Sequence, residues 1–395
     1  MTKATIDDVE VRGRRVLVRV DFNVPMADGR IVDDRRIAAA IPTLRALLER
    51  GARVVVATHL GRPKGTVDES LRVAPLATRL SELLGVTVAV AADVAGESAQ
   101  TMSAQLRDGQ IGMIENVRFE PGEERNDDEL ASRLAGLADI YVDDAFGTAH
   151  RAHASTVGVA AHLPAYAGYL MTRELEMLGS VLDAPRRPLL AIIGGAKIST
   201  KIGVVRSLLA RVDTLWLGGA MASTFYRALG EETGTSLVEE DQLDVATSLL
   251  EQARRGPADL RLPVDVVVAP SPTAGAPTEV VAWKAIPNDW AALDIGPETA
   301  AQIADCCASA GTVVWNGPLG VCEIPDFAAG TRRVAQALAE SPAITVVGGG
   351  DLAAALDSFG VTGCITHVST GGGATLEFLE GRTLPGVAAL LDRNS

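Results

Sequence analysis

Leu190-Ala-Ile-Ile-Gly194-Gly195-Ala-Lys197-Ile-Ser-Thr-Lys201 is the stretch on which the fold turns: an apolar run stops abruptly at two glycines, and two lysines follow, four residues apart. Four more runs in the second half have this form, Leu215-Trp-Leu-Gly218-Gly219, Val313-Val-Trp-Asn316-Gly317, Ile344-Thr-Val-Val-Gly348-Gly349-Gly350 and Val368-Ser-Thr-Gly371-Gly372-Gly373. Short apolar runs separated by helical segments read as buried strands of a parallel sheet, and in such sheets ligands bind where the strands end. Strand ends made of glycine offer bare backbone amides, which suit the phosphates of a nucleotide.

In the first half the apolar runs stop at charge instead. The endings are Val20-Asp21-Phe22-Asn23, Thr58-His59-Leu60-Gly61-Arg62, Glu115-Asn116-Val117-Arg118 and Asp144-Ala-Phe-Gly-Thr-Ala-His150-Arg151. Strands are predicted over 16–20, 53–58, 86–90, 111–114 and 139–142, with helices between them. One helix starts at Asp33 or Asp34 as cap, runs to Leu48 with Ile37, Ile41, Leu44 and Leu48 at helical spacing, and closes at Gly51. Arg36 sits in its first turn. Arg36, Arg62, Arg118 and Arg151 with His59 form a candidate anion site, because guanidinium forks match phosphate and carboxylate geometry. His150 and His153 read better as structural histidines. A glycine-ended half for a nucleotide and an arginine-ended half for a small polyanion together point to a two-domain phosphoryl-transfer enzyme.

The chain's 395 residues suffice for two domains of roughly 150–200 each. A net charge of −14 argues against nucleic acid and anionic membrane as partners. Residues 1–170 hold 20 Lys+Arg against 24 Asp+Glu, and the rest 16 against 26, so the arginine-ended half is the less acidic. Cys306, Cys307, Cys322 and Cys364 fit no metal spacing and read as small hydrophobes in a reducing compartment. The first residues show no secretory apolar region, and no run reaches the ~18 apolar residues of a membrane helix, so a cytoplasmic protein is expected.

A helical stretch over 168–182 ends at Asp183-Ala-Pro185, and a second βα series starts at Leu189. The expected fold is α/β: two doubly wound parallel-sheet (Rossmann-like) domains joined by a long interdomain helix and hinge. The divisions are 1–168, the helix 169–184, 185–384 and a tail 385–395.

Only five residues are lysine, and two of them are Lys197 and Lys201. Their spacing predicts two ammonium groups on one face at a helix start, where the dipole attracts anions, and in an arginine-preferring chain they read as needed point charges rather than as a solvated helix face. Asp351, after Gly348-Gly349-Gly350, either caps a helix or holds Mg²⁺ against phosphates. Neither the Walker pattern nor the dinucleotide G-x-G-x-x-G occurs.

These motifs together resemble phosphoglycerate kinase. The likeness rests on Val18-Arg-Val-Asp-Phe-Asn-Val-Pro25, His59-Leu-Gly-Arg-Pro63, Asp144-Ala-Phe-Gly-Thr-Ala-His-Arg-Ala-His153, Gly194-Gly-Ala-Lys197, Trp315-Asn-Gly-Pro318, Gly348-Gly-Gly-Asp351 and Ser369-Thr-Gly-Gly-Gly-Ala374, and it spans essentially the whole chain. It implies reversible transfer of the acyl phosphate of 1,3-bisphosphoglycerate to Mg-ADP, giving 3-phosphoglycerate and Mg-ATP, in a monomer whose C-terminal tail returns to the first domain. By matching positions, Asp21, Asn23, Arg36, His59, Arg62, Arg118 and Arg151 bind the triose. Lys197, Lys201, Asn316, Pro318, Glu323 and the segment Gly349, Gly350, Asp351 and Leu352 serve the nucleotide, with Asp351 on the metal and Gly195, Gly218 and Gly219 lining the adenine pocket. Arg36, Lys197, Gly372 and Gly373 fall at the catalytic positions.

The attacking carboxylate is already ionised at neutral pH, so the lack of a Ser-His-Asp or Cys-His constellation is expected. The chain departs from the family pattern at Leu352, Ala220, Asp143, Cys322 and Thr200, where a hydroxyl residue, glycine, asparagine, phenylalanine and aspartate are common. Leu352 is expected to keep its backbone contact, with threonine there tightening nucleotide binding by no more than about tenfold. A non-catalytic nucleotide-binding module of the same fold would lose the arginine set, and an NAD-dependent dehydrogenase would need the absent glycine fingerprint.

Overall fold

Alternation of β-branched strands with amphipathic helices builds two parallel sheets in the computed structural model, which describes residues 2–393. The chain divides into two units, one running to Glu176 and resuming at Thr383, the other spanning Met177–Arg382. The division falls inside the helix Tyr169–Asp183.

In the first unit the strands are β1 (Arg15–Val20), β2 (Arg53–Ala57), β3 (Val88–Val90), β4 (Ile111–Met113), β5 (Ile140–Asp144) and β6 (Ala165–Ala167), all parallel, in the order β3-β4-β2-β1-β5-β6. The four strands that end in charge, β4, β2, β1 and β5, are neighbours. Their C-terminal ends therefore lie along one edge, with β1 central. Val16, Val18 and Val20 are wholly buried because helices cover both faces.

Helix Arg35–Glu49 buries Ile37, Ala40, Thr43, Leu44 and Leu47, and Ile41 and Leu48 are only half-buried at the margin of that stripe. Its N-cap residue Asp34 makes no side-chain cap bond; Asp33 instead accepts the Arg35 N–H at 2.9 Å. Gly51 closes it, with φ of 78°. Residues 383–393 pack in this unit: the Gly386 N–H reaches Ala149 O at 2.8 Å, and Leu391 N–H reaches Ala165 O at 3.0 Å. The start of Tyr169–Asp183 is held here by side chains. Tyr169 N–H donates to Thr43 Oγ1 at 2.9 Å, and Leu170 N–H to Asp144 Oδ1 at 2.9 Å. Burial pushes the Asp144 carboxyl up to about 7.

In the second unit β7 (Leu189–Ile193), β8 (Thr214–Leu217), β9 (Asp259–Arg261), β13 (Thr312–Asn316), β14 (Ile344–Gly348) and β15 (His367–Val368) form a parallel sheet ordered β9-β8-β7-β13-β14-β15. The five glycine-ended runs are thus consecutive in space. A three-stranded antiparallel sheet of β10 (Asp265–Ala269), β11 (Glu279–Ala282) and β12 (Ala291–Ile295) is an addition that the alternation of strand and helix did not anticipate. Its signal was present in two β-branched runs flanking a proline-containing loop.

Candidate functional site

At the β1 end of the first unit, Asp21 and Arg36 form an ion pair at 2.5 Å, with Asp21 buried and Arg36 half-buried. Asn23 Oδ1 accepts the Gly61 N–H at 2.9 Å, tying the β1 ending to the β2 ending. Arg118, 4% exposed, follows β4 and donates to Gly61 O at 2.7 Å; burial lowers its pKa, with Glu124 opposing. Arg151 donates to His150 Nε2 at 3.1 Å. Arg62 is exposed and has no protein partner among the described residues. Hence Asp21, Asn23, Arg36, His59 and Arg118 are drawn together by direct bonds or, for His59, by proximity, whereas Arg62 and Arg151 bond to none of them.

His59 is 3% exposed, and burial first, then Arg19, Arg118 and Arg36, hold its pKa well below the ordinary value. It is therefore an uncharged imidazole at neutral pH. Arg19 is the residue that sequence reasoning missed. It lies on β1 between Val18 and Val20, is 1% exposed, and donates to Val20 O, Ser155 Oγ and His59 Nδ1. An arginine alone in a β-branched run was the available signal, since a buried guanidinium requires buried acceptors.

In the second unit the glycine ends do more packing than binding. Gly194 N–H donates to Asn316 O, Gly195 N–H to Pro318 O and Gly218 N–H to Ile193 O, so these amides are spent between strand endings. A Cβ on Gly219, whose φ is 68°, would sit 2.6 Å from Gly195 N. Gly218 abuts the Leu319 side chain rather than opening onto a cavity. Helix Gly350–Ser358 starts with Gly349 as N-cap at φ of 103° and no side-chain cap bond, so its first-turn amides point outward from the helix start.

The lysine pair does not share a helical face. Residues 194–201 are irregular and the helix begins only at Ile202, because Gly195 turns the chain at φ of 109° and buried Ile198 anchors the loop. Lys197 is exposed and without a protein partner among the described residues. Lys201 is 8% exposed and donates to Asn316 Oδ1 at 2.5 Å, and burial lowers its pKa to about 8 against the pull of Asp351. That bond fixes the Asn316 amide, leaving its buried Nδ2 without a partner among the described residues.

Lys197, Lys201, Asn316, Pro318, Gly349, Asp351 and Leu352 line a cavity of about 320 Å³. A second cavity of about 340 Å³ is largely apolar, walled by Leu237, Pro272, Leu293 and Val321 with Glu323 beside them. The two share Gly195, Ala196, Pro318 and Asp351. One holds cationic and amide donors and the other is largely apolar, which matches the phosphates and base of a nucleotide. Leu352 itself is wholly buried and belongs to the core cluster with Trp315, Val347 and Leu356, so its side chain is committed to packing. Gly372, φ 53°, and exposed Gly373 open the short helix Gly373–Leu379.

No group of three or more His, Cys, Asp or Glu side chains able to hold a metal occurs among the described residues. Exposed Asp351 lines both cavities as a single carboxylate. A lone carboxylate beside a phosphate-sized cavity fits Mg²⁺, which takes one or two protein carboxylates and completes its shell with phosphates and water.

Comparison with known proteins bears on the family and the fold. The family profile described as phosphoglycerate kinase matches residues 6–382. The chain is similar, at 55% identity over 393 residues and the full length of both, to the phosphoglycerate kinase of Pelotomaculum thermopropionicum. It is 54% identical to that of Moorella thermoacetica over the same length. Among solved structures it resembles phosphoglycerate kinase from Coxiella burnetii, with TM-score 0.88, 44% identity and 98% of each chain covered. The enzyme from Pyrococcus horikoshii OT3 matches with TM-score 0.88, 35% identity and the same coverage.

Proposed function

This chain belongs to the phosphoglycerate kinase family, and from that premise we propose how its two units divide the work. The reaction is the reversible phosphoryl transfer of glycolysis between 1,3-bisphosphoglycerate and ADP, giving 3-phosphoglycerate and ATP. In our reading the first unit binds the triose. Arg36 and Arg118 meet its phosphate and carboxylate charge, Arg62 and Arg151 add further guanidinium groups, His59 donates as a neutral imidazole, and Asp21 and Asn23 set the positions of Arg36 and the Gly61 loop. The observation that carries this is the gathering of these side chains at the ends of adjacent strands around β1.

The second unit takes the nucleotide. Leu237, Leu293 and Val321 flank the base, and Glu323 meets the ribose hydroxyls. Lys201 and the orphaned Asn316 Nδ2 face the phosphates, together with the first-turn amides of the helix starting at Gly350, which no side chain caps. Mg²⁺ held by Asp351 supplies charge neutralisation on the phosphate oxygens. Lys197, exposed and unpaired, is free to follow the moving phosphoryl group, and Gly372 and Gly373 offer their amides to it. The acceptor carboxylate is ionised at neutral pH, so the protein needs no general base, only convergent positive charge along an in-line path.

Each unit carries half of the reactants' partners, so transfer requires the units to close through the helix Tyr169–Asp183, excluding water. We place the enzyme in the cytoplasm as a monomer; no described helix is long and apolar enough to cross a membrane. ATP consumption dependent on both 3-phosphoglycerate and Mg²⁺ tests the reading, and absence of turnover in folded protein would overturn it. Small-angle scattering tests closure: the radius of gyration falls with both substrates bound, and equal values for free and ternary states would contradict it.

A further inference from the structure

A chain of buried polar groups lies behind the triose residues and has no part in the charge neutralisation described above. Glu123 is wholly buried, and its Oε1 accepts the Ser155 hydroxyl at 2.6 Å while Oε2 accepts the Ser155 N–H at 3.0 Å. Ser155 Oγ accepts Arg19 Nε–H at 2.9 Å, and Arg19 Nη2 donates to His59 Nδ1 at 3.2 Å. Arg19 Nη1 is tied to Val20 O. The bond directions follow from the donor inventory. A carboxylate only accepts and a guanidinium only donates, so the single Ser155 proton points to Glu123 and a lone pair points to Arg19. The Nδ1 lone pair of His59 must then face Arg19, which leaves the ring proton on Nε2.

We propose that Glu123 and Ser155 are positioning residues which, acting through Arg19, hold His59 as the uncharged Nε2–H tautomer that donates to an anionic oxygen of the triose. This rests on the reading of His59 as a triose contact. The competing carboxylate is Asp21, whose Oδ1 stands 3.8 Å from Nδ1, beyond hydrogen-bond reach. Asp21 is also engaged by Arg36 and by the Asn23 N–H. The other charged or titratable groups acting on the ring, Arg36, Arg118 and His153, oppose its protonation together with Arg19. Glu123 is ionised: burial alone would raise its carboxyl, but His153, Arg19 and Ser155 outweigh that and hold it below its ordinary range. A buried anion thus balances Arg19 and keeps its fork aimed at His59.

The chain has five histidines, so ¹⁵N-histidine NMR on the substrate-free protein can read His59 directly, with His59→Gln assigning its signals. In wild type, Nδ1 resonates as an unprotonated acceptor and Nε2 as protonated, with no titration around neutral pH. Ser155→Ala shifts the ring toward a tautomer mixture and raises the KM for 3-phosphoglycerate about three- to tenfold with kcat little changed, the worth of one oriented hydrogen bond. Ser155→Thr, which keeps the hydroxyl, restores both, and Glu123→Gln moves the ring in the same direction as Ser155→Ala. A wild-type ring that is charged or carries its proton on Nδ1 overturns the proposal whatever the variants do. So does a folded Ser155→Ala with the wild-type ring spectrum. A shifted ring with an unchanged KM would uphold the tautomer lock and overturn the reading of His59 as a triose contact.

Discussion

Replacing Leu352 by threonine restores the hydroxyl that is common in the family, and the structure says what that costs. Leu352 is wholly buried among Trp315, Val347 and Leu356 in the core of the second unit. The substitution removes one carbon and turns a methyl into a hydroxyl. The lost apolar burial is worth about 1 kcal/mol. A hydroxyl placed in that core without a partner adds about 1–3 kcal/mol. Together they destabilise the unit by about 2–4 kcal/mol, or roughly 5–15 °C in Tm for a unit of this size. The gain at the nucleotide is small, because Leu352 borders the phosphate cavity but its side chain is packed in the core. Mg-ADP affinity should change less than about threefold, within the tenfold limit set by one hydrogen bond. Thermal unfolding followed by tryptophan fluorescence reads the first quantity and titration calorimetry the second. Unchanged Tm with binding tightened more than tenfold would refute the reasoning, since the side chain would then face the nucleotide rather than the core.

Gly219→Ala should destabilise the second unit, because its Cβ would lie 2.6 Å from Gly195 N and its φ is 68°, whereas Gly350→Ala, with nothing within 4 Å, should fold normally; paired denaturation curves decide. Arg36→Ala should lower kcat by about 10²–10³ while changing 3-phosphoglycerate affinity much less; steady-state kinetics in which KM rose and kcat held would make Arg36 a binding residue only. Lys201 has its folded pKa lowered to about 8 from 10.5. Between those values the unfolded chain holds more protons, so this residue's contribution to stability rises with pH over that window while its ammonium is lost to the nucleotide. Mg-ADP binding should therefore weaken from pH 7 to 9, and Lys201→Met should bind weakly at both; calorimetry showing equal pH slopes in the two proteins would contradict this.

The period and endings of the strands were legible in the chain because they depend on local chemistry. β-branched runs alternating with amphipathic helices form the strands of the two parallel sheets, and the residue type at each ending carries its own donors. That is why the neighbouring strands β4, β2, β1 and β5 end in Arg118, His59 with Arg62, Asp21 and Arg151, and why the β7, β8, β13, β14 and β15 endings come together in one sheet. Sequence spacing failed where a turn overrode it: Lys197 and Lys201 stand four apart, yet Gly195 sends the loop away from a helix and only Lys201 is buried. It failed again at the glycines, because whether an amide is free depends on what its neighbours accept, and Asn316 and Pro318 accept those of Gly194 and Gly195. Arg19, Glu123 and Ser155 lie far apart in sequence, Arg19 and Ser155 separated by 136 positions, and no local pattern joins them. Only the packing of β1 against the loops after β4 and β5 brings a buried guanidinium to a buried carboxylate, where each charge tolerates desolvation because the other is there.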